Sequence, residues 1–177
     1  MDKIIVKMGS NQIKDVNKPY QPFLIIGKII PRYDNGNWTF EEMISQKSQV
    51  KNYSADEVDY TEYINNPDKV VYMCYVDKEC IGQIRLRRNW NKYCYIEKIV
   101  VSSEYRETGI GKKLINNAIS WAKANDMLGI MLETQDNNLS VCRFYCKCGF
   151  HIGAVDTMLY ANFENNGEKA VFWYMKF

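Results

Sequence analysis

The chain has 177 residues, 46% of them hydrophobic, with 23 basic and 21 acidic side chains and a formal net charge of +2. That length suits one domain with a full core, spanning 1–177, and the near balance of charge argues against nucleic acid, which calls for a basic face. The apolar run near Met1 ends by Met8, far short of a leader or a membrane span, so a cytoplasmic protein without membrane association is expected.

In chain order, residues 1–8 alternate loosely as a first strand, and Phe23–Ile30 is apolar and β-branched, a second extended segment. Thr39 is placed to cap a helix opening at Phe40, with Glu41 and Glu42 in the first turn, where the helix dipole favours acids. Residues 48–66 are polar and tyrosine-rich, a helix or loop ending near Pro67, and hold the acidic cluster Asp56, Glu57, Asp59 and Glu62. That cluster reads as a solvated face or as an acidic wall for a cationic substrate. Val70–Val76, Cys80–Arg88 and Tyr93–Val101 then form an antiparallel meander joined at Asp77-Lys78 and Asn89–Lys92.

After the meander the period changes. Gly109–Asn125 sets Ile110, Leu114 and Ala118 on one face of an amphipathic helix. Gly129–Thr134 is a short buried strand, Asn138–Cys148 a second helix, and Phe150–Val155 and Ala170–Phe177 are closing strands. The alternation predicts a mixed α/β fold whose first long helix crosses between parallel strands. The last strand offers an edge on which a second copy could pair, so a homodimer stays open.

Of the six cysteines, Cys142 and Cys146 share a helical face, but Cys148 points elsewhere and no second pair completes a metal pattern; they read as packing residues, and no metal is expected. His151 is the only histidine, and nothing near it marks a nucleophile–base pair.

The chemistry concentrates at Arg106, Glu107, Thr108, Gly109, Ile110, Gly111 and Lys112, directly after a strand and opening a helix. A helix N-terminus presents unpaired N–H groups and the positive end of a dipole, and glycines admit close approach, so the turn suits a pyrophosphate. Alone it fits packing as well as binding. Its R-x-x-G-x-G pattern stands about thirty residues ahead of Asn138, Phe144, Tyr145, Gly149 and Phe150, in the pattern N-x-x-x-x-x-F-Y-x-x-x-G-F. The pair resembles the GNAT acetyltransferase superfamily over roughly residues 70–155.

That resemblance implies the GNAT fold: a mixed, mostly antiparallel sheet of six to seven strands with helices on both faces and splayed parallel central strands. It implies acetyl-CoA as co-substrate, its pyrophosphate on the amides of Thr108–Lys112 and its pantetheine arm along Ile99, Val100 and Val101. Asn138 would bond the pantetheine or hold the second helix in register. Phe144 would line the cofactor, and Tyr145 would protonate the leaving thiolate, unless it is simply a core aromatic.

An attacking lysine-like amine, with a pKa of about 10.4, spends about 4.6 kcal/mol reaching its free base at pH 7. A positioned base lowers that cost. Glu97, on the strand that leads to the turn, is the candidate, as base or as the carboxylate that orients the amine; otherwise it pairs with a neighbouring cation. Glu133 is the reserve.

Flanking segments extend the likeness. Ile29–Tyr33, Asn37–Phe40, Arg88–Asn91, Leu132–Asn138, Val155–Glu164 and Ala170–Tyr174 resemble the bacterial streptothricin acetyltransferases over nearly the full length. Residues 45–62 depart most from that family. The resemblance implies acetylation of the β-lysine amine of streptothricin, a small cationic partner, with substrate contacts sought at Trp38, Tyr95, Glu97, Glu133, Asp136 and Asp156. A polyamine or peptide acetyltransferase and a non-catalytic acyl-CoA sensor are the alternatives.

Overall fold

The computed structural model describes residues 2–52, 57–164 and 166–177; Asp56 of the acidic cluster lies outside them. The chain forms β1 (Ile4–Lys7), β2 (Phe23–Asp34), β3 (Asn37–Lys51), β4 (Lys69–Val76), β5 (Glu79–Arg88), β6 (Cys94–Val101), α1 (Ile110–Ala124), β7 (Gly129–Gln135), α2 (Leu139–Cys148), β8 (His151–Asp156) and β9 (Ala170–Lys176). Two compact units result, Met1–Gln21 with Asn52–Ile130, and Pro22–Lys51 with Met131–Phe177.

In the first unit the strands lie in the order β1-β4-β5-β6, all antiparallel. Asp77 and Lys78 close the β4–β5 hairpin with φ of 46° and 71°, the left-handed turn that matches strand twist. Helix α1 buries Ile110, Leu114, Ile115, Ala118, Trp121 and Ala122 on one stripe, each worth roughly 1.5–3 kcal/mol in apolar burial for the larger side chains. It settles close on β5 at Gly82, where a Cβ would stand 3.2 Å from Ile110 Cγ2. A second cluster joins Val71, Met73 and Cys80 to Met8, Tyr60 and Tyr63. The two tyrosines come from a 3-10 turn at Tyr60–Tyr63; of the stretch expected as helix or loop, residues 48–51 continue β3, and the described residues after them are loop around that one short turn.

In the second unit, β2 and β3 form a long hairpin, which overturns the helix expected from Phe40. Tyr33 pairs with Trp38 and Asp34 with Asn37 around Asn35 (φ 48°) and Gly36 (φ 82°). An Asn-Gly turn favours a two-residue hairpin strongly enough to override the acids at 41 and 42, which sit exposed on the strand. The hairpin ladder is broken between Ile25 and Gly27, and Gly27 makes a parallel bridge with Asn138. A Cβ there would meet the Met43 carbonyl oxygen at 2.3 Å, so only glycine lets the strands approach.

The remaining strands lie in the order β7-β9-β8. The final strand is therefore flanked on both sides, and the edge expected of it belongs to β8. Helix α2 buries Leu139, Cys142 and Tyr145 and ends at Gly149 with φ 95°. Among the described residues, no helix is long and apolar enough to cross a membrane.

Candidate active site

Residues 106–112 follow β6 and run into the start of α1. Gly109 caps α1 with φ 85°, and the first helical bond runs from Lys113 N–H to the Gly109 carbonyl, so the amides of Ile110–Lys112 precede the hydrogen-bonded ladder. The loop is braced from outside those amides. Thr108 Oγ1 donates to the Tyr105 carbonyl at 2.7 Å, Arg106 Nε to the Val101 carbonyl at 3.1 Å, and Lys3 Nζ to the Thr108 carbonyl at 3.1 Å. Glu107 takes a left-handed φ of 62°, and Arg106 to Gly109 and Lys112 are exposed. An exposed, braced helix start with cations beside it fits an anionic diphosphate.

Upstream on β6, Glu97 sits at a β-bulge. Arg85 pairs with Lys98 and Leu86 with Ile96, so Glu97 is the residue without a ladder partner. The extra residue shifts the alternation, placing Lys98 opposite Arg85 and Tyr95 opposite Arg87. Glu97 collects three partners: Arg85 Nε lies 3.3 Å from Oε2, Arg87 Nε 3.2 Å from Oε1, and Tyr63 Oη donates to Oε2 at 2.5 Å. Burial and that bond to a carboxylate push the Tyr63 hydroxyl well above the usual phenol range. Tyr60 accepts from Arg85 at 3.1 Å and donates to Asn17 Oδ1 at 3.3 Å, which also takes Lys98 Nζ at 3.1 Å. Tyr95 lies under the Arg87 guanidinium, 4.7 Å from ring centroid to cation. Glu97 thus does pair with cations, twice, while remaining part of a polar constellation. Ile99, Val100 and Val101 run beyond it, half-buried, paired to Ile84, Gln83 and Gly82.

In the second unit, Asn138 is the N-cap of α2, its side-chain Oδ1 accepting from Val141 N–H at 3.4 Å. Tyr145 is buried in an aromatic group, with centroids 5.2 Å from Phe144, 5.4 Å from Phe150 and 6.4 Å from Trp173. Trp38 stacks at 5.0 Å on Tyr33 and, with Phe40, Phe150 and Trp173, lines a cleft of about 340 Å³. Glu133 on β7 accepts a short hydrogen bond from Tyr160, and burial raises its carboxyl above the ordinary value, with Glu168 adding to the rise and Tyr160 opposing it. Asp136 is buried and accepts from Lys169 N–H at 2.9 Å, while Asp156 caps its turn through Met158 and Leu159 N–H at 2.7 and 3.0 Å. Both carry the local fastening that such residues give a turn.

A family model described as the acetyltransferase (GNAT) family matches residues 37–150. The chain belongs to this family. Streptothricin acetyltransferase A of Bacillus subtilis (strain 168) is 47% identical over 174 residues, covering 98% of this chain and 100% of that protein. Streptothricin acetyltransferase of Escherichia coli is 40% identical over 111 residues, 62% of this chain and 64% of that one. In three dimensions, a protein from Bacillus anthracis strain Ames assigned as a streptothricin acetyltransferase, solved with acetyl coenzyme A, superposes with a TM-score of 0.93 at 36% identity, covering 99% of this chain and 100% of that one.

As a GNAT enzyme the protein is an acetyl-CoA-dependent N-acetyltransferase with a mixed α/β fold. For such an acetyltransferase, sequence reasoning missed Tyr63 and Tyr160, the phenols on its two candidate carboxylates. They lie 34 and 27 residues from their partners, and no local pattern links them. The thirteen tyrosines were a general hint only, because a buried phenol needs a partner. The thiols need no part in direct transfer: Cys94 and Cys142 are buried and pushed up to about 12, which disfavours the thiolate.

Proposed function

We propose that this enzyme acetylates a primary amine of a small cationic antibiotic, with the β-lysine amine of streptothricin as acceptor. The observation that carries this reading is the 47% identity, across the whole of both chains, to a streptothricin acetyltransferase. Acetyl-CoA supplies an activated thioester. The amides of Thr108–Lys112 would hold its diphosphate, aided by Arg106 and Lys112, and the backbone of Ile99–Val101 would pair with the pantetheine arm. By resemblance, Asn138 would bond the pantetheine or hold α2 in register, and Tyr145, flanked by Phe144, would return a proton to the leaving sulfur. An N–H near Ile99 would meet the developing oxyanion.

The amine must lose a proton. Glu97, fixed by Arg85, Arg87 and Tyr63, is the carboxylate read as taking that proton or orienting the amine. Glu133 is the second reading for the base. Its burial raises its proton affinity toward the range a general base needs. Trp38 and Tyr95 offer flat faces to a cation. The cytoplasm, where acetyl-CoA is made and consumed, is the proposed setting.

Mass spectrometry of streptothricin incubated with enzyme and acetyl-CoA tests the reading. One added acetyl group on the β-lysine amine is expected, with kcat/KM well above that for spermidine or a lysyl peptide. Equal or faster turnover of either comparator would reassign the acceptor.

A further inference from the structure

Tyr160 lies outside the R-x-x-G-x-G and N-x-x-x-x-x-F-Y-x-x-x-G-F patterns, in the segment between β8 and β9, and its hydroxyl donates to Glu133 Oε1. The segment is fastened at both ends. Asp156 caps its first turn. At the other end Lys169 N–H donates to Asp136, and Glu168 takes Lys51 Nζ at 2.8 Å and Asn137 Nδ2 at 2.7 Å. Such anchoring is more than a solvent-exposed connection requires, and the residue it delivers to the half-buried Glu133 carboxylate is a phenol.

We infer that Tyr160 is a positioning residue for acetyl transfer: its hydroxyl holds one oxygen of Glu133 and so keeps the half-buried carboxylate aimed. This rests on the reading of Glu133 as the group that takes the amine proton. The titratable groups that act on Glu133 are Tyr160, a neutral hydrogen-bond donor, and Glu168, which pairs with Lys51. Tyr160 is the neighbour that favours the carboxylate form; burial and Glu168 favour the acid. Without its hydrogen bond Glu133 binds a proton more tightly, and less of it is available as a base at pH 7. No covalent step is added: the proton passes from the amine nitrogen to Glu133, and Tyr160 keeps its own.

The experiment is the pH profile of kcat/KM for streptothricin in the wild type, Tyr160→Phe and Glu133→Gln, with the KM for acetyl-CoA and the melting temperature measured alongside. Tyr160→Phe should move the acidic limb to higher pH by half a unit or more. Its activity should fall along the acidic limb, by up to about threefold for a half-unit shift, and recover above the limb, with KM for acetyl-CoA unchanged. An unmoved limb, or a loss equal at every pH, overturns the inference. Glu133→Gln separates the two claims. If it abolishes the limb while Tyr160→Phe leaves the limb in place, Glu133 stands as base and Tyr160 does not position it. If Glu133→Gln keeps the wild-type limb, the base reading fails and the Tyr160 inference fails with it.

Discussion

Arg87 of β5 and Glu97 of β6 meet at 3.2 Å, although the ladder pairs Arg87 with Tyr95 and leaves Glu97 unpaired. Pleating already sets Glu97 on the face of Tyr95, and the bulge adds Lys98 opposite Arg85. With regular alternation, a residue two beyond Tyr95 would share its face by pleating alone and Lys98 would point away; the extra residue lets Tyr95 and Lys98 both lie opposite cations of β5 while Glu97 reaches Arg85 and Arg87.

Glu97→Ala should therefore cost stability as well as activity. It removes the carboxylate facing Arg85, a side chain only 9% exposed, and taking away one partner of a largely buried ion pair costs about 3 kcal/mol. Glu97→Gln keeps an acceptor for Tyr63 and should lose less. Chemical denaturation ranks the three proteins. In steady-state assays both variants should show kcat/KM for the amine down by about tenfold or more, with KM for acetyl-CoA little changed. A stability order reversed between Ala and Gln would contradict the pairing.

Gly109→Ala tests the cofactor turn. The residue has open space where a Cβ would sit, so any penalty comes from its φ of 85°, a left-handed conformation costing roughly 1–2 kcal/mol for an L side chain. The chain can relieve that strain by tilting the first amides of α1. KM for acetyl-CoA should rise several-fold while kcat at saturation holds. Calorimetric titration with coenzyme A should show the same weakening.

Asn138 separates two roles. Asn138→Ala loses the cap of α2 and should lower stability by about 1 kcal/mol. Asn138→Asp keeps a capping oxygen. If α2 register is the whole contribution, Asp restores both the melting temperature and the KM for acetyl-CoA. A stable Asp variant with a raised KM would instead assign the amide to the pantetheine arm.

Most elements were legible in the sequence because periodicity and turn residues are local. The meander, α1, β7 and α2 follow from alternation, Asp77-Lys78 and the 3.6-residue stripe beginning at Ile110. The β2–β3 hairpin was legible too, in Asn35-Gly36, but Thr39 with two acids after it mimicked a helix start. The bulge was not legible, because register belongs to a pair of strands and is invisible in either alone. Nor were the phenol partners of Glu97 and Glu133, which depend on where distant turns deliver Tyr63 and Tyr160. The buried setting of Glu133 came only with the packing of β7.

The thiols give an independent check on direct transfer. Cys74, Cys80, Cys94 and Cys142 are buried, whereas Cys146 and Cys148 are half-buried. Ellman titration of the folded enzyme should find no more than two fast thiols, and six after denaturation. Replacing Cys146 and Cys148 with serine should leave kcat within about twofold, since no acyl-enzyme is formed. A large loss of kcat with acetyl-CoA binding intact would point to an acyl-enzyme.

Glu133 also predicts how stability responds to pH. Its folded-state carboxyl is raised above the unfolded value of 4.5, so the folded protein holds this proton more tightly than the unfolded chain does. Its contribution to stability is then fully present below pH 4.5 and is lost as pH climbs through the raised folded value. Asp15, Glu42 and Asp59 act in the opposite sense, being lowered by hydrogen bonds from Lys18, Arg143 and Thr61, so total stability masks the effect. The difference between wild type and Glu133→Gln isolates it. Glutamine keeps the shape and an acceptor for Tyr160 but cannot ionise. Denaturant midpoints from pH 3.5 to 8 should show the variant gaining on the wild type as pH rises from 4.5, with the gap constant once Glu133 is ionised in both states. A gap that does not change with pH would mean that Glu133 keeps an ordinary carboxyl, and it would remove the physical ground for reading it as a base.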